Sequence, residues 1–136
     1  MTISEVLEAT RTHLTSNTQA KVALGTPLEN QPGLYIFSYQ FAEDASLRVP
    51  PSKGTRVTPA RSYTLRCLLM TNPAEDYAAL DEGRKCLKDR PVITLQDKTI
   101  NAMLTLLSTD ELTQIFSSAG VTLRLAIAFE LRWTGA

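Results

Sequence analysis

The sequence predicts an α+β fold, with one mixed, mainly antiparallel β-sheet flanked by helices. Three observations carry this reading. The first is an alternating apolar run from Val121 to Trp133, which has the period of a half-buried strand. The second is two further strand-like runs, Leu34–Phe41 and Arg61–Met70, rich in aromatic and branched residues. The third is a set of helices between and before them that carry their own start signals. Helices and strands mixed within 136 residues form one layered domain over residues 1–136.

Thr2 with Glu5 forms a capping box and opens a helix that runs to about Ser16. Ile3, Val6, Leu7, Thr10 and Leu14 give that helix one apolar stripe. A short strand follows at about Ala20–Leu24, and Gly25-Thr26-Pro27 and Gln31-Pro32-Gly33 punctuate the loop after it. In Leu34–Phe41, alternation places Tyr35, Phe37, Tyr39 and Phe41 on one face and Leu34 and Ile36 on the other. Both faces are expected to be covered near its start.

The third strand sets Tyr63, Leu65, Cys67 and Leu69 on one side. Asn72 as N-cap, Pro73 at the first position and Glu75 in the first turn predict a helix to about Lys88. Its stripe is Tyr77, Leu80, Gly83 and Leu87, and its acids lead its bases, as the helix dipole favours. Pro91 stops that helix before an extended stretch, Val92–Leu95. Ile100–Leu107 reads as a strand with Ile100, Ala102, Leu104 and Leu106 on one face. Ser108 with Glu111 is a second capping box, for a short helix that buries Leu112, Ile115 and Phe116 and ends at Gly120. In the last strand, Val121, Leu123, Leu125, Ile127, Phe129, Leu131 and Trp133 are expected in the core. Ala126 and Ala128 on the other face leave room for a helix to pack closely.

Composition excludes several classes of function. Fourteen Lys and Arg balance fourteen Asp and Glu, so the basic excess of a nucleic-acid-binding domain is missing. The longest apolar run, Leu125–Phe129, falls far below the ~20 residues of a membrane span. Glu5 and Glu8 near the start speak against a signal peptide, so a cytoplasmic location is expected. Cys67 and Cys86 form no Cys-x-x-Cys pair and read as buried free thiols. With His13 as the single histidine, no metal site is expected.

Nothing in the chain has the spacing of a phosphate loop, a nucleophile elbow or a zinc-protease helix, and no cofactor is expected. Glu75, Asp76, Asp81 and Glu82 read as a solvated helix face with pairs such as Asp81 and Lys85. One charge feature is uneven. Between Ala45 and Ala74 there is no acid, while Arg48, Lys53, Arg56, Arg61 and Arg66 fall there, mostly within a Pro-rich loop at about 42–60. A loop of that length in a compact domain is usually functional or disordered, and its charge suits an acidic partner surface. The acid-led helix is its candidate counterpart on a neighbouring subunit.

Four stretches in this order carry a resemblance: Ile3-x-x-Val6-Leu7; Tyr63–Met70 with Asn72-Pro73 and Tyr77-x-x-Leu80; Pro91-Val92; and Ser108-x-x-Glu111-Leu112-x-x-Ile115-Phe116 before a strand ending in Leu131-Arg132. Together the pattern resembles the cap, or tail-terminator, proteins of extracellular contractile injection systems. The resemblance implies a tail-terminator-like fold and a non-enzymatic subunit. It further implies a homohexameric ring on the distal end of tube and sheath that stops polymerisation and holds the last sheath layer. Implied partners are the chain itself and the sheath and inner-tube proteins, with no nucleic acid or membrane. Arg48, Lys53, Arg56 and Arg61 are then the candidate partner contacts, and Glu75, Asp76, Asp81 and Glu82 the candidate subunit interface. Members often carry a further C-terminal region, whereas this sequence ends two residues after Thr134. A phage tail-completion protein is the neighbouring reading, and a peptide- or ligand-binding adaptor using Tyr35, Tyr39 and Phe41 is the alternative from another class.

Overall fold

The structure, a computed structural model, describes residues 1–45 and 61–135. Helix α1 (Ile3–Asn17) leads into strands β1 (Val22–Leu24), β2 (Gly33–Ala45) and β3 (Arg61–Asn72). Helix α2 (Tyr77–Asp89), strands β4 (Val92–Leu95) and β5 (Lys98–Leu104), helix α3 (Thr109–Ala119) and strand β6 (Ile127–Gly135) complete the order. The strands form one six-stranded sheet, β1-β2-β3-β6-β5-β4. Only β1 and β2 pair in parallel, so the sheet is mixed and mainly antiparallel, as expected.

The sheet is covered on both faces. On one, α1 and α2 pack over Leu34, Ile36, Leu65, Cys67, Leu69, Ile100, Phe129 and Leu131. On the other, Phe116 of α3 meets Tyr35, Leu68, Met70 and Ala128. Ala128 is the small residue that lets α3 approach β6. On the first face Gly83 does the same for α2, because a Cβ there would stand 2.6 Å from Leu69 Cδ2.

Both capping boxes form. Thr2 accepts from the Glu5 amide and Ser108 from the Glu111 amide, each at 3.1 Å. Gly120 closes α3 at φ +69°, which a glycine adopts without strain. Val6, Thr10 and Leu14 are the buried stripe of α1, with the Thr10 hydroxyl donating to the Val6 carbonyl, while Ile3 is exposed.

The structure corrects four expectations. Helix α2 starts at Tyr77, with Asp76 rather than Asn72 as its cap. Asn72 is still the last residue of β3, paired with Gly33 and donating its side-chain amide to the carbonyls of Leu28, Glu29 and Gln31, so it stands too far before the helix to cap it, and Asp76 Oδ1 accepts from the Ala79 amide instead. Tyr77, expected in the stripe, therefore projects outward.

A β-bulge in β2 between Ser38 and Gln40 shifts the alternation by one. Phe41 thus leaves the face of Tyr35 and stacks with Tyr63 on the opposite one at a centroid distance of 6.0 Å, with Trp133 tilted against it at 6.2 Å.

Strand β6 begins at Ile127, not Val121. Its last partner in β3 is Leu69, and beyond it the Arg124 guanidinium donates to the Thr71 carbonyl at 2.7 Å, so a side chain rather than a ladder joins this segment to β3. Leu123 and Leu125 are consequently 60% and 59% exposed, outside the core. Likewise β5 ends at Leu104, and Leu106 beyond it is 98% exposed.

Candidate partner-binding surfaces

The basic segment of the sequence reading falls mainly on Arg48, Lys53 and Arg56, which lie outside the described residues. Arg61 is described. It opens β3 opposite Ala45, and its Nη1 donates to Glu43 Oε1 at 2.6 Å. That hydrogen bond raises its pKa further above the ordinary arginine value. Arg61 therefore has an acidic partner from its own chain, although its side chain stays half-exposed.

The acids of α2 also have local roles. Asp76 caps the helix, and Glu82 accepts from the Gln19 amide at 3.2 Å. Asp81 binds Arg84 at 2.7 Å and Lys85 at 3.8 Å, so the predicted i,i+4 pair is present beside a closer i,i+3 one. The Arg84 hydrogen bond holds the Asp81 carboxyl below the usual carboxylate range. Glu75 and Glu82 are exposed, but Glu75 precedes the helix and Glu82 lies mid-helix, so, against the expectation of Glu75 in the first turn, the first turn of α2 holds no acid.

The structure adds a charged cluster that alternation alone does not reveal. Helix α3 packs over Tyr35, Leu68, Met70 and Ala128 but not over the whole of its face of the sheet. On the rest, Arg66, Glu130 and Met103 lie side by side across β3, β6 and β5, next to Thr64, Arg132 and Asn101. Glu130 is buried between two arginines: Arg66 Nε stands 3.3 Å from Oε1, and Arg132 Nη2 donates to Oε2 at 2.7 Å. Arg66 also donates to Gln40 at 3.0 Å. Arg66, Glu130 and Arg132 are each visible in the sequence as charged, but the register that joins residue 66 to residue 130 is not.

A second unannounced surface is apolar. At the Asn72 end of the sheet, Leu28, Tyr77, Leu123, Leu125 and Leu106 are all more than half exposed. The opposite end carries Glu43, Asp44, Arg61 and Lys98. The two ends of the sheet thus differ in chemistry, one greasy and one charged.

The residues with catalytic potential are occupied structurally. His13 Nε2 lies 2.9 Å from the Arg90 carbonyl, tying α1 to the chain after α2. Cys67 is buried on the sheet, and burial pushes its thiol up to about 12, which leaves it a poor nucleophile. Among the described residues no cluster of His, Cys, Asp and Glu is arranged to hold a metal, and no helix is long and apolar enough to cross a membrane.

Comparison with solved structures fixes what this architecture is similar to. The PVC sheath/tube terminator, an extracellular contractile injection system protein seen in its extended state, superposes with a TM-score of 0.71 at 16% identity over 98% of this chain. The anti-feeding prophage tube-terminating cap superposes with a TM-score of 0.72 at 15% identity, again over 98%. The fold is a tube-terminator fold. The chain spans about half of each of those proteins, 56% and 55% of their lengths. No protein-family model and no curated protein sequence matches it. The sheet order, the two helices on one face and the single helix on the other therefore describe a terminator fold within one domain-sized chain.

Proposed function

We propose that this chain is a structural terminator subunit, not an enzyme, that caps the distal end of a contractile tube and sheath. The observation that carries the reading is the superposition of nearly the whole chain on two tube-terminating proteins. In this reading the subunits form a homohexameric ring, stop polymerisation and hold the last sheath layer. Assembly takes place in the cytoplasm, on a phage tail-like particle.

The charged end of the sheet is the side offered to sheath and tube. Arg48, Lys53 and Arg56 lie in sequence between β2 and β3, Arg61 opens β3, and such cations steer an acidic surface. Glu75, Asp76, Asp81 and Glu82, on α2 and the chain just before it, are the complementary surface on a neighbouring subunit. Electron microscopy of particles carrying an epitope on this chain tests the core claim: a six-fold density at one tip supports it, and particles without the chain refute it. Replacing Arg48, Lys53 and Arg56 together by Glu then tests the basic segment. Single exposed pairs are worth only ~0–1 kcal/mol, so the triple change is the informative one. Overlong or uncapped tubes are expected, and capped particles of defined length exclude this segment from the contact.

A further inference from the structure

We propose that Arg66 and Arg132, held over the buried Glu130, form a docking point for an acidic side chain of a protein partner, on the stretch of sheet that α3 does not cover. Stoichiometry is the first observation. Two guanidiniums share the one carboxylate of Glu130, which is 7% exposed, so the cluster keeps one positive charge in excess. Other acids on this side of the sheet do not correct the balance. Among the described residues neither Asp44 of β2 nor Glu111 of α3 pairs with either arginine, and Glu111 accepts from the Ser108 hydroxyl instead.

The two arginines are aimed as well as present. Arg132 meets Glu130 Oε2 through Nε and Nη2, at 3.0 and 2.7 Å. Arg66 meets Oε1 through Nε at 3.3 Å and donates from Nη1 to Gln40 at 3.0 Å. The bulge at Ser38–Gln40 makes that last bond possible, because unbroken pairing would bring Tyr39 rather than Gln40 opposite Arg66. A guanidinium carries five N–H donors. Nη2 of Arg66 and Nη1 of Arg132 make no hydrogen bond among the described residues, and the two side chains are 47% and 55% exposed. Each arginine is thus fixed along one edge and open along another.

Stability alone does not call for this arrangement, since a buried ion cluster is often matched or bettered by apolar side chains of the same volume. Recognition gains from it, because side chains already held in place lose less freedom on binding. The surroundings fit a protein contact. Met103 lies exposed beside Glu130, Thr64 and Asn101 are short neighbours, and arginine and methionine are enriched in interfaces where lysine is depleted.

Charge selects the occupant. The excess is positive, and the planar fork of arginine matches a carboxylate through two parallel bonds. Small free ligands are taken up in concave sites, whereas these arginines stand half-exposed on an open sheet, where a carboxylate carried on another protein reaches them. A nucleic-acid backbone is disfavoured by the fourteen acids that balance the fourteen bases of the chain. The inference rests on this geometry and not on the terminator reading.

The test uses the purified chain and a capped peptide of alternating alanine and glutamate, with its glutamine counterpart as control. In nuclear magnetic resonance titrations at low salt, the Nε–Hε signals of Arg66 and Arg132 should shift with the glutamate peptide, and less with the glutamine one. Arg11 and Arg84, each paired within its own helix, should shift less than either. Changing Arg66, Glu130 and Arg132 together to Gln removes the charges without leaving Glu130 buried and unpaired. That variant should melt close to the parent and bind the peptide roughly tenfold or more weakly. Arg132→Lys keeps the charge but loses the fork, and it should also weaken binding. Four results overturn the proposal: equal shifts with both peptides, equal shifts at all four arginines, an Arg132→Lys chain that binds as the parent does, or tighter binding of inorganic phosphate than of the glutamate peptide at Arg66 and Arg132. The last would assign the cluster to a phosphate-bearing ligand.

Discussion

Replacing Leu131 and Leu125 by alanine, one at a time, separates the core of β6 from its approach segment. The two leucines lie six positions apart on the same alternating pattern, and the sequence treats them alike. Leu131 sits in a central strand with Leu65 opposite it in β3 and Ala102 in β5, and it is fully buried. Each buried methylene is worth about 0.8 kcal/mol, so the three carbons removed by Leu131→Ala cost about 2.4 kcal/mol before any cavity forms. The void cannot close easily, because Ala102 on one side has no side chain long enough to fill it and the sheet backbone on both sides is fixed by ladder bonds. A total of ~3–5 kcal/mol follows. For a chain of this size each kcal/mol lowers the melting temperature by roughly 3–5 °C, so a drop of ten degrees or more is expected. Leu125, 59% exposed, has no such cavity to leave, and Leu125→Ala should stay within about 0.5 kcal/mol of the parent. Urea unfolding followed by circular dichroism, at dilution where the chain is monomeric, measures both. Equal destabilisation by the two changes, or a mild Leu131→Ala, refutes the placement of the β6 start at Ile127.

Three further outcomes are expected. Ser108→Ala removes the hydroxyl that accepts from the Glu111 amide and should cost about 1 kcal/mol in the same unfolding assay, with no change in slope. Asp81 has a carboxyl depressed by Arg84, so its pair with that residue stabilises the fold above the ordinary aspartate range and is lost as pH falls through the folded value. The melting difference between parent and Asp81→Asn should therefore be small near neutrality and vanish in acid; a difference that grows on acidification contradicts the assignment. Cys67, pushed up to about 12 by burial, should be silent to a thiol reagent in the native protein at mildly alkaline pH and react fully once unfolded.

Local chemistry explains which parts of the fold were legible. Capping boxes at Thr2 and Ser108, the glycine stop at Gly120 and the alternation of Tyr63, Leu65, Cys67 and Leu69 each act within a few residues, so the sequence alone displays them. The failures share a non-local cause. Asn72 looks like a helix cap until pairing with Gly33, thirty-nine positions earlier, keeps it in β3. Phe41 looks like a companion of Tyr35 until a bulge at Ser38–Gln40, which no residue type announces, turns it to the other face. The Arg66–Glu130–Arg132 cluster depends on strands whose pairing is set by the whole sheet.

Val121–Ala126 shows most clearly how a pattern and its use come apart. Alternation continues unbroken through Leu123, Leu125 and Ile127 because each is a large apolar residue two places from the next, and period-2 spacing says that the residues share a face, not that a neighbour covers it. Burial needs a ladder on at least one side and a helix above. At Leu125 both are missing: β3 is joined through Arg124, and α2, starting late at Tyr77, forms the wall of an open groove instead of a lid. The late helix start and the late strand start are thus one structural event seen from two sides. Together they strip cover from side chains whose hydrophobicity would otherwise belong to the core. A chain that holds Leu106 fully in water beside them keeps an apolar surface that folding alone does not require.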